Sequence, residues 1–226
     1  MSLPTRQTAV ALGAAAFSLA SPIAGSADVP DGTALRARAV QVLRQELATT
    51  SGFVRVHAAE ALIEHRQTDG IAAIYTPELA TATPPYRIGV WRVLARLAKT
   101  PAERETWIDR IRSALRDPAG SDRVHAAETL AKLAGAQPAD RTIIDTWLAA
   151  TDAPTSAYLH WLCVQLADTT RRPTEELALA ALLHSEHPDA RLRSAYALAR
   201  LTPLAPETVR RLQAAAALEP ADSKAR

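Results

Sequence analysis

The sequence predicts an all-α fold: an α-α superhelix of about five helical hairpins in tandem, plus a final helix. Three observations predict it. One helical motif recurs at a near-constant interval. Apolar residues inside and between its copies keep spacings of three and four, which put side chains on one face of a helix. The β-branched and aromatic alternation that strands need is almost missing, aromatics making up only 4% of the chain.

The motif is clearest in Arg55–Leu62, Arg123–Leu130 and Arg191–Leu198, each copy 68 residues after the last. Arg87–Leu94 and Thr155–Leu162 fall between them, so the steps are 32, 36, 32 and 36 residues. Every copy ends in leucine: Leu62, Leu94, Leu130, Leu162 and Leu198. Three places earlier stand Ala59, Trp91, Ala127, Leu159 and Ala195, on the same face. A mean period of 34 residues has room for two helices and two turns.

The partner helices lie between the copies. Leu35, Ala39, Leu43 and Leu47 form a stripe four apart over residues 31–47. Trp107, Ile108, Ile111 and Leu115 mark a helix over 103–115, and Ile143, Ile144, Trp147 and Leu148 one over 142–150. Leu179, Leu182 and Leu183 mark another over 175–183, and Val209, Leu212 and Ala216 the last, over 209–218. Thr100-Pro101-Ala102-Glu103 has the order of an N-cap, a first-turn proline and a capping-box glutamate. Gly52, Gly70, Gly120 and Gly135 stand at expected breaks. The second hairpin is the least regular: its first helix, about 69–79, carries Pro77, and residues 81–85 are rich in helix breakers.

Residues 1–27 read as a secretory leader. Arg6 precedes a short apolar run from Ala9 to Ala20, Pro22 interrupts it, and Gly25-Ser26-Ala27 offers small residues for cleavage. The run is too short for an ordinary membrane span. An exported protein, periplasmic or extracellular, is expected, with repeats over 31–218, a C-terminal tail over 219–226 and no membrane span after cleavage. Near-balanced charge, 26 Lys and Arg against 24 Asp and Glu, gives no reason to expect a nucleic-acid partner.

The pattern Arg-x-x-Ala-Ala-x-Ala-Leu resembles the second helix of bacterial HEAT repeats, including the bilin-lyase-like group, over about residues 31–218. Copies two and four depart from it, with Trp91, Tyr158 and Trp161 where small residues are usual. The resemblance implies that Arg55, Arg87, Arg123 and Arg191 form a structural ladder with acidic groups. It also implies a superhelix that binds partners along an inner face.

The candidate binding residues are one motif column: Glu60, Arg92, Glu128, His160 and Tyr196. They are expected to line a strip holding a protein, peptide or glycan partner. An enzyme or enzyme subunit related to the bilin-lyase-like proteins is the alternative. His57-x-x-Glu60 and His125-x-x-Glu128 have a spacing able to relay a proton or bind metal. Their duplication argues for architecture, and no third ligand stands at zinc spacing. His160 and Cys163 share that spacing in an apolar run, where a buried, inert thiol is expected. His184, Glu186, His187 and Asp189 read as a solvated turn, and Trp107 and Trp147 as packing residues. No nucleophile elbow, P-loop or dinucleotide fingerprint is present, so no catalytic residue, metal or cofactor is predicted.

Overall fold

The computed structural model describes residues 32–218. The leader and the tail assigned above lie outside the described residues. The chain divides into two units. Of the first, Met1–Arg38, the described part is the opening turns of one helix; the second is Ala39–Arg226.

The described residues form eleven α-helices and no strand. They are α1 (Gly32–Thr49), α2 (Gly52–Glu64), α3 (Ile71–Glu78), α4 (Tyr86–Leu97), α5 (Pro101–Arg116) and α6 (Arg123–Leu133). Then follow α7 (Arg141–Leu148), α8 (Ala153–Leu166), α9 (Arg172–Ala181), α10 (Pro188–Ala199) and α11 (Pro206–Leu218). Short 3-10 turns precede α7 and follow α9. None of these helices is long and apolar enough to cross a membrane.

The motif copies are the even-numbered helices, and these pack in series: α2 on α4, α4 on α6, α6 on α8, α8 on α10. Odd helices flank them, α5 against α4 and α6, α9 against α8 and α10. The motif explains the series. Ala59 and Ala127 are fully buried, and their small side chains let neighbouring helices approach. The recurrent leucine fills the core: Leu62, Leu130, Leu162 and Leu198 are fully buried and Leu94 nearly so. Each stabilises the fold by about 1.5–3 kcal/mol relative to an exposed leucine.

Helix ends are set by local chemistry. Thr100 Oγ1 accepts from the Glu103 amide at 3.1 Å, as its N-cap position predicts. The returning bond from Glu103 goes one residue further back, to the Lys99 amide at 2.9 Å. The recurrent arginine closes the preceding helix. Arg55 Nε donates to the Thr50 carbonyl at 2.6 Å, Arg123 Nε to Leu115 at 2.8 Å and Arg191 Nη1 to Ser185 at 3.0 Å. Carbonyls at a helix C-terminus lack partners within the helix, and a cation suits that end of the dipole. Arg55 also meets Glu78 at 2.6 Å, and Arg87 meets the fully buried Asp122 at 2.5 Å.

Two elements depart from expectation. The first helix of the second hairpin contracts to α3, with Pro77 in its last turn and Gly70 at φ 76° before it. The stripe on α1 is buried only toward its end: Leu35 and Ala39 are exposed, and Leu43 and Leu47 reach the core around α2 to α4.

Candidate functional site

Three rows of side chains run along one face of the even helices. Counted from the start of each motif copy, they are the third, sixth and tenth positions, three and four residues apart, which keeps them on one face. The sixth-position row is the one singled out above, and the structure divides it. Glu60, Glu128 and Tyr196 line a cleft of about 730 Å³. Arg92 is 1% exposed and lies behind Glu60. His160 does not line the cleft; the charges acting on it are Glu175 on α9 and Arg141 on α7, and burial lowers its pKa.

The tenth-position row supplies Glu64, Arg96, Lys132 and Arg200, all lining the cleft; its fifth member, Val164, is in the core. The third-position row adds His57 and Arg193. Tyr158 enters from α8, at a position where the other motif copies carry Ala58, Val90, Ala126 and Ser194. Every even helix therefore contributes to the cleft.

Its floor is an ion network. Arg92 Nη2 donates to Glu60 Oε2 at 2.9 Å, Arg92 Nε lies 2.8 Å from Oε1, and Arg92 Nη1 donates to Thr129 Oγ1 at 3.0 Å. His57 Nδ1 approaches Glu60 Oε2 at 3.2 Å and Arg96 approaches Oε1 at 3.6 Å. Burial alone would raise the Glu60 carboxyl. The His57 hydrogen bond and the charges of Arg92, Lys132 and Arg96 outweigh it and hold the group at about 2. Glu128 is likewise lowered: burial opposes ionisation, but Lys132, 2.7 Å away, and Arg92 favour it.

The tyrosines carry cations on their rings. Arg193 sits 5.0 Å from the Tyr158 centroid, and Arg200 and Lys132 sit 4.6 and 5.3 Å from that of Tyr196. Trp161 meets the Tyr196 ring edge-on from below, 5.9 Å away. Burial, then the nearby Glu128 charge, pushes the Tyr158 hydroxyl above its usual range. At neutral pH Tyr158 is thus a neutral phenol among fixed, mostly paired charges.

Of the remaining singled-out residues, Asp189 lines the cleft, and the following lie elsewhere. The His125 ring stacks on Phe53 at 5.0 Å, and burial lowers its pKa. Cys163 is fully buried, and desolvation pushes its thiol up to about 12. Trp107 and Trp147 are half-buried beneath Arg110 and Arg123. Among the described residues, no three His, Cys, Asp or Glu side chains come together to hold a metal ion.

No family model, curated protein or solved structure matches the chain. The geometry therefore carries the functional argument alone. The sequence reading missed the tenth-position row, although it lies one helical turn beyond the chosen column on the same face. It also missed Tyr158 as a lining residue. The signal for that one was present: a large side chain at a position that is otherwise small.

Proposed function

We propose that the chain is a HEAT-type α-α superhelix acting as a binding module, whose even-helix face holds a short extended peptide segment. The observation that carries this is the cleft: every even helix lends it side chains, and ion pairs and cation–ring stacks preset its walls. A site of this size suits a ligand of a few residues rather than a folded domain. Preset walls lower the ordering cost of binding. The tyrosine rings already bear cations, so a sugar ring would compete with Arg193, Arg200 and Lys132 for them, and peptide is favoured over glycan. The secretory features of residues 1–27 support a location outside the cytoplasm.

Ala61 lines the cleft from α2. Ala61→Trp should fill the space and leave the fold intact, because the position is only half-buried. A pool of random octapeptides equilibrated with the protein and read by mass spectrometry tests the idea. Wild type should retain a subset that Ala61→Trp releases. Equal retention by both proteins, or none by either, refutes the proposal.

A further inference from the structure

The charges of the cleft are unevenly satisfied. On the α2 side Glu60 is held by Arg92 and His57, and Glu64 is met by Arg96 at 3.4 Å. On α6, Lys132 and Glu128 pair with each other. The α10 wall differs. Among the described residues Arg193 donates once, to the Pro154 carbonyl at 3.1 Å, and Arg200 has no hydrogen-bond partner. Among the described residues neither arginine has a carboxylate within ion-pair distance. Asp189, one turn before Arg193, is the unpaired acid of this wall, and it sits in the first turn of α10, where the helix dipole suits it. The unpaired groups of α10 therefore sum to a positive charge.

Arg193 and Arg200 are also pre-oriented. Each guanidinium rests on a tyrosine, Arg193 on Tyr158 and Arg200 on Tyr196. Held over a ring, each guanidinium keeps N–H donors available to a planar oxyanion: those of Arg193 other than the one given to the Pro154 carbonyl, and those of Arg200. A carboxylate meets two such donors side by side.

Resting on the peptide-binding reading above, we infer that Arg193 and Arg200 make the α10 wall a recognition site for acidic side chains of an extended peptide. The two arginines are seven residues apart on one helix, a rise of about 10 Å. An extended chain advances about 3.3 Å per residue and alternates its side chains between two faces, so the acids it presents to one wall lie two or four residues apart. A dense polyphosphate is disfavoured, because Glu60, Glu64, Glu128 and Asp189 line the same cleft and would repel it.

The test is fluorescence anisotropy with the full chain and a fluorescein-labelled octapeptide bearing two aspartates four residues apart in a Gly/Ser/Ala background. The same peptide with asparagines, the same with lysines, and a single-stranded octanucleotide are the comparison probes. The acidic peptide should bind at least about tenfold tighter than the neutral one. Arg193→Gln and Arg200→Gln should each weaken the acidic peptide about tenfold more than they weaken the neutral one. High salt should erase the difference. Both arginines are solvent-accessible, and circular dichroism confirms that the variants fold. If acidic and neutral peptides bind alike, or the lysine peptide binds best, the inference falls and the cleft remains a peptide site. Tightest binding of the octanucleotide overturns it in favour of general polyanion binding. If no peptide binds and Ala61→Trp changes nothing, both readings fall.

Discussion

Replacing Arg92 by methionine tests whether the ion network fixes the cleft floor. The arginine side chain is 1% exposed and that of Glu60 10%, so Arg92→Met leaves a desolvated carboxylate with His57 at 3.2 Å and Arg96 at 3.6 Å. Removing one partner of a buried pair typically costs about 3–5 kcal/mol. The two remaining cations place this case at the lower end, about 3 kcal/mol. The depressed Glu60 carboxyl gives a second figure, for His57 and the surrounding cations together. The Glu60 carboxyl lies at about 2 instead of the ordinary 4.5, a gap equivalent to about 3 kcal/mol. Because the folded-state pKa is depressed, this stabilisation is complete above pH 4.5 and is lost as pH falls toward 2. Urea unfolding followed by circular dichroism at pH 7 and pH 3 measures both effects. Arg92→Met should lose about 3 kcal/mol at pH 7 and show a flatter acid slope. Adding Glu60→Gln should recover about 2 kcal/mol, since no buried charge is then left unpaired. A loss below about 1 kcal/mol, or a double mutant no more stable than Arg92→Met, refutes the reasoning.

Four further outcomes follow from the structure. Gly89→Ala should destabilise by about 1–2 kcal/mol despite better helix propensity, because the added Cβ would lie 2.8 Å from Val56 Cγ2; a thermal melt no lower than wild type contradicts this. Ala134→Gly should stabilise by about 0.5–1 kcal/mol, since Ala134 ends α6 at φ 49°, a left-handed conformation that suits glycine; an unchanged urea midpoint counts against it. Cys163 should resist a thiol reagent in the native state at pH 8, as its thiol lies at about 12, and react on unfolding; rapid native labelling would show the core is open there. N-terminal sequencing of the protein exported by a bacterial host should begin at Asp28; retention of Met1 contradicts the leader assignment.

Helix type was legible because it is written in local spacing. The recurrent leucine, the small residues three places before it and Thr100-Pro101 each act within a turn or two of their own helix. The role of the recurrent arginine was half legible. Its interval could be read, but its partner in three copies is a backbone carbonyl of the preceding helix, and a carbonyl has no residue signature. The candidate column was legible as a column and not as a surface. Glu60 and Arg92 hold equivalent motif positions, yet one lines the cleft and the other is buried behind it. Their difference comes from which helix stands next to each, and a repeat pattern is blind to that.

The sequence by itself thus determined the all-helical class, the order of the helices and the recurrent leucines of the core, because helical periodicity and capping are short-range physics. The tertiary structure alone decided which charges neutralise one another and which stay open. Glu60 meets Arg92 across 32 residues of chain, and Arg193 rests on Tyr158 from a neighbouring helix. Such pairings depend on how the helices pack, and packing sums many weak contacts that no single motif copy records.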